Sequence, residues 1–269
     1  MDYSPYAPPQ HHQAQQPYGG GFIPYAYKAL GWRTTVTIVC LLATVVLGTM
    51  QTGMTLAFPD ALKNPAPQNL GIILVLGLLG LAGGVVSIAT WVFFLVWVHL
   101  AAKNVRAFNQ QGLEYTPGWC VGWWFIPIAS LWKPYSAMRE IWQASDPDTV
   151  GPNAQRPWLS SAVPPTLLAW WVIYIASGFV AMIIAFANLD LSGRHAQVTA
   201  GPSSFITHVL LAVSGVLIVL VMRQLAQRQE AAWERLQNAA ALPPGPPAAA
   251  YGAPAAYAPP APTTGNPYL

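Results

Sequence analysis

The stretch LGIILVLGLLGLAGGVVSIATWVFFLVWV, residues 70–98, decides the fold. It holds 29 residues without an Asp, Glu, Lys or Arg. A helix needs about 20 apolar residues to cross a hydrocarbon core roughly 30 Å thick. A charge at the centre of such a helix costs about 2.5–3.5 kcal/mol on insertion scales, so a charge-free run of this length reads as membrane-spanning. Backbone N–H and C=O groups in lipid must pair within the chain, which makes the run a helix. Residues 34–58, 165–187 and 203–222 are equally free of charge, over 25, 23 and 20 residues. The predicted fold class is therefore an all-α membrane protein with four transmembrane helices. The run 70–98 has length to spare, enough to tilt or to project beyond the bilayer.

Composition agrees. Of 269 residues 54% are apolar and 8% charged, against about 25% charged in soluble domains. Two Cys cannot frame a disulfide-stapled secreted module. A net charge of +3, scattered along the chain, does not point to nucleic acid. The ends differ from the middle. Residues 1–27 and 239–269 hold 14 of the 26 prolines and a single charge, Asp2. Such Ala-, Pro-, Gly- and Tyr-rich sequence buries too little to offset the entropy of ordering, so both are expected to be disordered tails with local polyproline II. They flank a membrane domain over residues 28–238. The first apolar run starts near Thr34, too far in and too long for a cleaved signal, so the first span is expected to stay in the mature protein.

The cations orient the bundle. With the N-terminus in the cytoplasm, Lys28, Arg33, Lys103, Arg106, Lys133, Arg139, Arg156, Arg223, Arg228 and Arg235 lie inside, and only Lys63 and Arg194 outside. Positive-inside bias favours this arrangement, with both tails cytoplasmic. In the second span Gly77, Gly80, Gly84 and Ser87 recur at spacings of three, four and three, on one helix face. Small residues there serve helix packing within the bundle, a homo-oligomer seam or a lined cavity.

Residues 99–164 form the one sizeable loop, on the cytoplasmic side. Five of the twelve Trp fall between Trp119 and Trp142. The apolar run from Cys120 to Trp132 is 13 residues long and interrupted by Pro127, a length suited to a re-entrant or interfacial segment and too short to span. From Pro134 a helix can start, with Tyr135, Met138, Ile141 and Trp142 on one face and Arg139, Glu140 and Gln143 on others. This predicts an amphipathic helix lying on the inner membrane surface, within an interfacial segment 117–145 that Ser145-Asp146-Pro147-Asp148 ends. Lys103 and Arg106 are placed to meet anionic headgroups. The last span continues as a helix from Arg223 through Leu236, ending near Asn238, with Glu230 and Glu234 as a solvated face.

These stretches also carry a resemblance. Lys103-Asn104-Val105-Arg106, Thr116-Pro117-Gly118-Trp119, Gly122-Trp123-Trp124-Phe125-Ile126-Pro127-Ile128, Lys133-Pro134-Tyr135, Glu140-Ile141-Trp142-Gln143-Ala144-Ser145 and, in the third span, Trp170-Trp171 resemble a bacterial membrane domain of unknown function, family 4328, over about residues 34–225. The residues that carry the motif, without an assigned role, are Trp119, Trp123, Trp124, Pro127, Pro134 and Trp142. The resemblance implies a multi-pass protein of the bacterial inner membrane and implies no activity.

The residues themselves point to no catalytic, cofactor or metal site. All nine acids lie outside the four charge-free runs, and no zinc, nucleophile-elbow or phosphate-loop motif is present. Cys40 and Cys120 are expected as free thiols. His208, six residues into the last run, is expected to be neutral and bonded to a neighbouring helix. The function expected is a non-enzymatic membrane scaffold or accessory protein. Its partners would be the bilayer with its anionic inner headgroups, a second copy of the chain, and cytoplasmic proteins that dock on the tails. The alternative is a small oligomeric permeability protein gated by the Pro- and Trp-rich segment 117–134.

Overall fold

The computed structural model describes residues 25–59, 61, 66–151, 154–187 and 202–241. Among these, six α-helices follow one another: α1 (Gly31–Ala57), α2 (Leu70–Ala107), α3 (Pro117–Gly122), α4 (Lys133–Ala144), α5 (Pro165–Ala187) and α6 (Pro202–Ala241). Short 3-10 turns join them, and no strand occurs among the described residues. Proline opens α3, α5 and α6, where its missing N–H is one that no helix could pair. Helices α1, α2, α5 and α6 are long and apolar enough to cross a membrane. The run 70–98 continues as helix to Ala107, so α2 projects past its charge-free part, and α6 reaches Ala241, three residues beyond the expected end. Lys63 and Arg194, and the tail residues 1–24 and 242–269, lie outside the described residues.

The long helices pack side by side in the order α2, α1, α6, α5. Adjacent helices in this row run antiparallel. At one end Trp97 Nε1 of α2 donates to Thr34 Oγ1 of α1 at 2.8 Å; at the other, Thr52 of α1 meets the His208 ring of α6 at 3.3 Å. Mid-span, the Thr44 and Thr90 hydroxyls lie 3.0 Å apart, and each also bonds the carbonyl four residues back, as a hydroxyl without water must. Only 6% of the most apolar window of α2 is buried, and Leu78, Leu81, Val85 and Ile88 stand more than half exposed. A water-soluble surface rarely carries an apolar band of that extent.

Within the chain, the glycine face of α2 is approached by a neighbouring helix at one position. A Cβ at Gly80 would meet Gln51 of α1, whereas one at Gly77 or Gly84 would meet nothing within 4 Å, and Ser87 is half-buried. The closest helix approach uses another glycine, Gly215, and Gly48 is approached as closely as Gly80. A Cβ on Gly215 of α6 would come within 2.9 Å of Leu41, and one on Gly48 of α1 within 3.2 Å of His208.

The densest packing sits at the end where the chain carries its charge. Trp97, Val98, Ala101, Val105, Met138, Ile141, Leu167, Val221, Met222 and Leu225 are nearly or wholly buried there. Inside this core lie two amides, Asn104 of α2 and Gln229 of α6, both fully buried. Asn104 Nδ2 donates to Gln229 Oε1 (2.8 Å) and to the carbonyl of Lys28 (2.9 Å), and its Oδ1 accepts from the Lys28 N–H (2.9 Å). Gln229 Nε2 donates to the Ala101 carbonyl and to Ser145 Oγ, both at 3.0 Å. Ser145, beyond α4, passes its own proton to the Ile141 carbonyl at 2.7 Å. Every amide N–H of both side chains is engaged, and the knot joins the chain entry, α2, α4 and α6.

Removing one partner of such a knot strands the other. Gln229→Ala is expected to cost about 1–3 kcal/mol for each donor or acceptor left buried and unpaired. Thermal unfolding in detergent should show Asn104→Ala and Gln229→Ala each lowering Tm, with the double variant losing clearly less than the two losses summed.

Candidate functional site

The Trp-rich segment forms a hairpin between α2 and α5, built from Thr116 to Lys133. Thr116 caps α3, its hydroxyl accepting from the Trp119 N–H at 3.3 Å, and His99 Nδ1, just past the charge-free part of α2, donates to the Pro117 carbonyl at 2.9 Å. The chain then turns through Trp123–Phe125, extends at Ile126, and reverses over Pro127 into a second turn, Ala129–Leu131. Lys133 starts α4, with Pro134 in its first turn.

Trp124 is the centre of an aromatic cluster. Its ring stands edge-on to Trp91 (5.4 Å) and Phe94 (5.5 Å) of α2, and to Trp171 (5.7 Å) of α5, with Tyr174 at 6.1 Å. Offset and edge-on aromatic pairs add about 0.5–1.5 kcal/mol each beyond area burial. Trp119 and Trp123, one turn apart, pack at 4.7 Å, and the Lys133 ammonium lies 5.5 Å from the Trp123 ring. Trp171 Nε1 donates to the Leu131 carbonyl, holding the returning arm. Trp142 is drawn elsewhere: its Nε1 bonds the Ala162 carbonyl and Arg228 lies over its ring. Of the motif residues, Trp123 and Trp124 therefore fill the cluster or its edge, Pro127 makes the exposed tip, Trp119 is half exposed, and Pro134 and Trp142 belong to the core beneath the charged end.

The helix expected along the inner surface is enclosed. Met138, Ile141 and Trp142 are buried as their spacing predicts and Tyr135 is half-buried, but Glu140 and Gln143, expected on other faces, are buried as well. In α4 only Arg139 is exposed. The reason is that the polar residues find partners. Gln143 Nε2 donates to the Leu159 and Ser161 carbonyls. Glu140 accepts from the backbone N–H groups of Glu114 (2.7 Å) and Tyr115 (3.1 Å), clamping the chain between α2 and α3. Burial pushes the Glu140 carboxyl up, and those two N–H groups pull against the rise without cancelling it.

A second acid, Asp146, organises the following loop. Its Oδ2 accepts from Ser161 Oγ (2.6 Å), Arg228 Nη2 (2.8 Å) and Arg156 Nη2 (2.9 Å), and Oδ1 from the Asp148 N–H (3.1 Å). Burial alone would raise this carboxyl; the hydroxyl, the N–H and the two guanidinium groups outweigh it and hold the acid below its ordinary range. Asp148 pairs with Arg235 further along α6.

Sequence reading had not singled out Asn104, Ser145, Gln229 or Ser161 for this role. A signal was present for the amides: Asn104 recurs with Trp97, Ala101 and Val105, and Gln229 with Met222, Leu225 and Ala232, at helical spacing on an apolar face. Among the described residues no group of three or more His, Cys, Asp or Glu could hold a metal ion, and Cys40 and Cys120 are free. His208 lies at the far end, beside an open groove of about 220 Å³ that Thr52 and Phe205 help to line.

The ion pairs set a pH dependence. Because the Asp146 carboxyl is held down in the folded chain, its contribution is complete above the unfolded value, about 3.9, and is lost as pH falls through the lower folded value. Tm measured against pH should fall on acidification below about pH 4. In Asp146→Asn that acid limb should flatten, and Tm should be lower at neutral pH, by the equivalent of about 1.5–3 kcal/mol for the charged hydrogen bond from the half-buried Arg228, Arg156 keeping Asp148 at 3.9 Å.

No curated protein and no solved structure matches this chain. A family model matches residues 71–227, from the start of α2 to the turn of α6 before Arg228; α1, which the resemblance read from sequence included, lies outside it. With more than half of its length matched, the chain belongs to the family described as Domain of unknown function (DUF4328).

Proposed function

We propose that the protein is a non-enzymatic scaffold of the bacterial inner membrane, anchored by four spans, with its charged end and both Pro-rich tails in the cytoplasm. The observation that carries this reading is the convergence of the two chain ends. Tyr27, the last residue of the segment expected as the N-terminal tail, is packed in the fold: it stacks on Trp233 of α6 at 4.8 Å and lies 5.9 Å from Phe108 just past the end of α2. The knot ties Lys28 to Gln229 through Asn104. The N-terminal tail would therefore start beside α6, the helix that leads into the C-terminal tail, which suits recruitment of one partner by both. Ten of the twelve cations lie in the segments that meet there, which supports a cytoplasmic placement. The acids in this region support a structural role: Glu140, Asp146 and Asp148 are each engaged by the fold itself. Pro- and Tyr-rich tails suit aromatic-grooved or self-associating partners.

An alternative has one observation in its favour. Trp124 packs against both α2 and α5, where a side chain that gates a permeability protein could sit. Solute flux into liposomes that is lost, or altered in rate, in the double variant Pro127→Ala, Trp124→Ala would favour it; flux unchanged by the double variant removes the gate.

Cysteine-accessibility labelling tests the orientation. Lys63→Cys and Arg194→Cys should react from outside and Arg139→Cys only after permeabilisation; outside labelling at position 139 overturns the layout. Deleting residues 1–24 and 242–269 leaves the packed ends intact. In-cell cross-linking of that variant should lose neighbours captured by the full chain, and an identical neighbour set would remove the recruiting role.

A further inference from the structure

The geometry points to the Thr116–Lys133 hairpin as a re-entrant insert whose tip, Phe125-Ile126-Pro127-Ile128, stands among the acyl chains of the cytoplasmic leaflet. The inference rests on the proposed anchoring and names a lipid contact that the anchoring alone does not require.

Depth is the first argument. Trp124 meets Trp91, which lies eight residues before His99, the first residue past the charge-free run of α2. At 1.5 Å per residue that is about 12 Å along the helix, most of the way to the middle of a roughly 30 Å core. On α5 its partners are Trp171 and Tyr174, six and nine residues past Pro165. The hairpin thus runs alongside the parts of α2 and α5 that need lipid around them.

Exposure is the second. Phe125 and Ile128 are 71% and 72% exposed at the tip, and Ile126 and Pro127 between them are exposed too. Four consecutive apolar residues gain nothing from water in that position and lose nothing in hydrocarbon. Above the tip, Trp119 and Trp132 are half exposed, and Lys133 and then Arg139 follow on the returning arm. Apolar tip, indole rings and cations succeed one another in the order that a leaflet presents from its core to its headgroups.

The backbone supplies the third argument, because lipid penalises unpaired N–H groups. The returning side of the turn is paired within the turn: Ser130 N–H bonds the Ile126 carbonyl (2.7 Å), Leu131 that of Ile128, Trp132 that of Ala129, and Ser130 Oγ bonds the Pro127 carbonyl (2.8 Å). Proline at the tip has no N–H to satisfy.

The test is fluorescence quenching on the full chain, with Cys40→Ala and Cys120→Ala as background, in vesicles of phosphatidylcholine and phosphatidylglycerol. A nitrobenzoxadiazole label is placed singly at Phe125→Cys, Ile128→Cys, Arg139→Cys and, as a control on a span, Leu81→Cys. Phe125 and Ile128 make little contact with the fold, so their replacement leaves the core unchanged. Labels at 125 and 128 should be quenched several-fold more by acyl-chain nitroxide lipids than by iodide, with the reverse at 139. Iodide quenching at 125 and 128 alongside lipid quenching at 81 overturns the insert and leaves the anchoring standing. Protection from both quenchers at the tip also overturns it, and assigns the tip to a protein contact such as a second copy. Absence of lipid quenching at 81 overturns insert and anchoring together.

Discussion

Two fully buried amides facing each other set the terms for this molecule. Asn104 and Gln229 are both fully buried, and each uses the other to complete its hydrogen bonding. Carboxamides transferred from water without partners are costly, so the pair exists only where the backbone of Lys28, the carbonyl of Ala101 and the hydroxyl of Ser145 are brought to them. That requirement fixes the relative height of α2 and α6, the entry path of the chain before α1, and the exit of the chain from α4. A single displaced helix would leave several donors unpaired at once.

The apolar remainder of the bundle has no comparable means of choosing a register. Between helices surrounded by hydrocarbon, burial of apolar surface gives no driving force, and close packing and interhelical hydrogen bonds decide instead. The molecule has both, sparingly placed. Gly215 lets α6 approach Leu41, Gly48 receives His208, and Thr44 meets Thr90. The polar knot lies at one end of this arrangement, next to the loops, where water can serve the outer charges and the core can stay dry. Asp146 and its two guanidinium partners occupy the border between those regimes.

The hairpin depends on both parts. Its base is held by the Glu140 clamp and by Lys133, its middle by the Trp124 cluster, and its tip by little but its own turns. The aromatic rings of α2 and α5 meet directly, Trp91 with Tyr174 and Phe94 with Trp170, and Trp124 packs against both sets, so the segment is anchored on two helices and carries the tip.

Much of the fold was written in the sequence itself, because exclusion of charge from a lipid-spanning helix is a local rule. The runs 34–58, 70–98, 165–187 and 203–222 correspond to α1, α2, α5 and α6 within a few residues at most ends, and Pro134 marked the start of α4. Periodicity likewise identified Met138, Ile141 and Trp142 as a buried face. What periodicity could not supply was the environment of the polar residues. Glu140 and Gln143 look like a solvent face until the N–H groups of Glu114 and Tyr115 and the carbonyls of Leu159 and Ser161 arrive from elsewhere in the chain. The glycines show the same limit: Gly77, Gly80 and Gly84 share a stripe, yet only Gly80 touches a neighbouring helix. Sequence alone determined which segments must be apolar helices, since that depends on each segment and its solvent. Only the tertiary structure decided which polar atoms are buried and paired, since a hydrogen bond between Asn104 and Gln229 joins residues 125 positions apart.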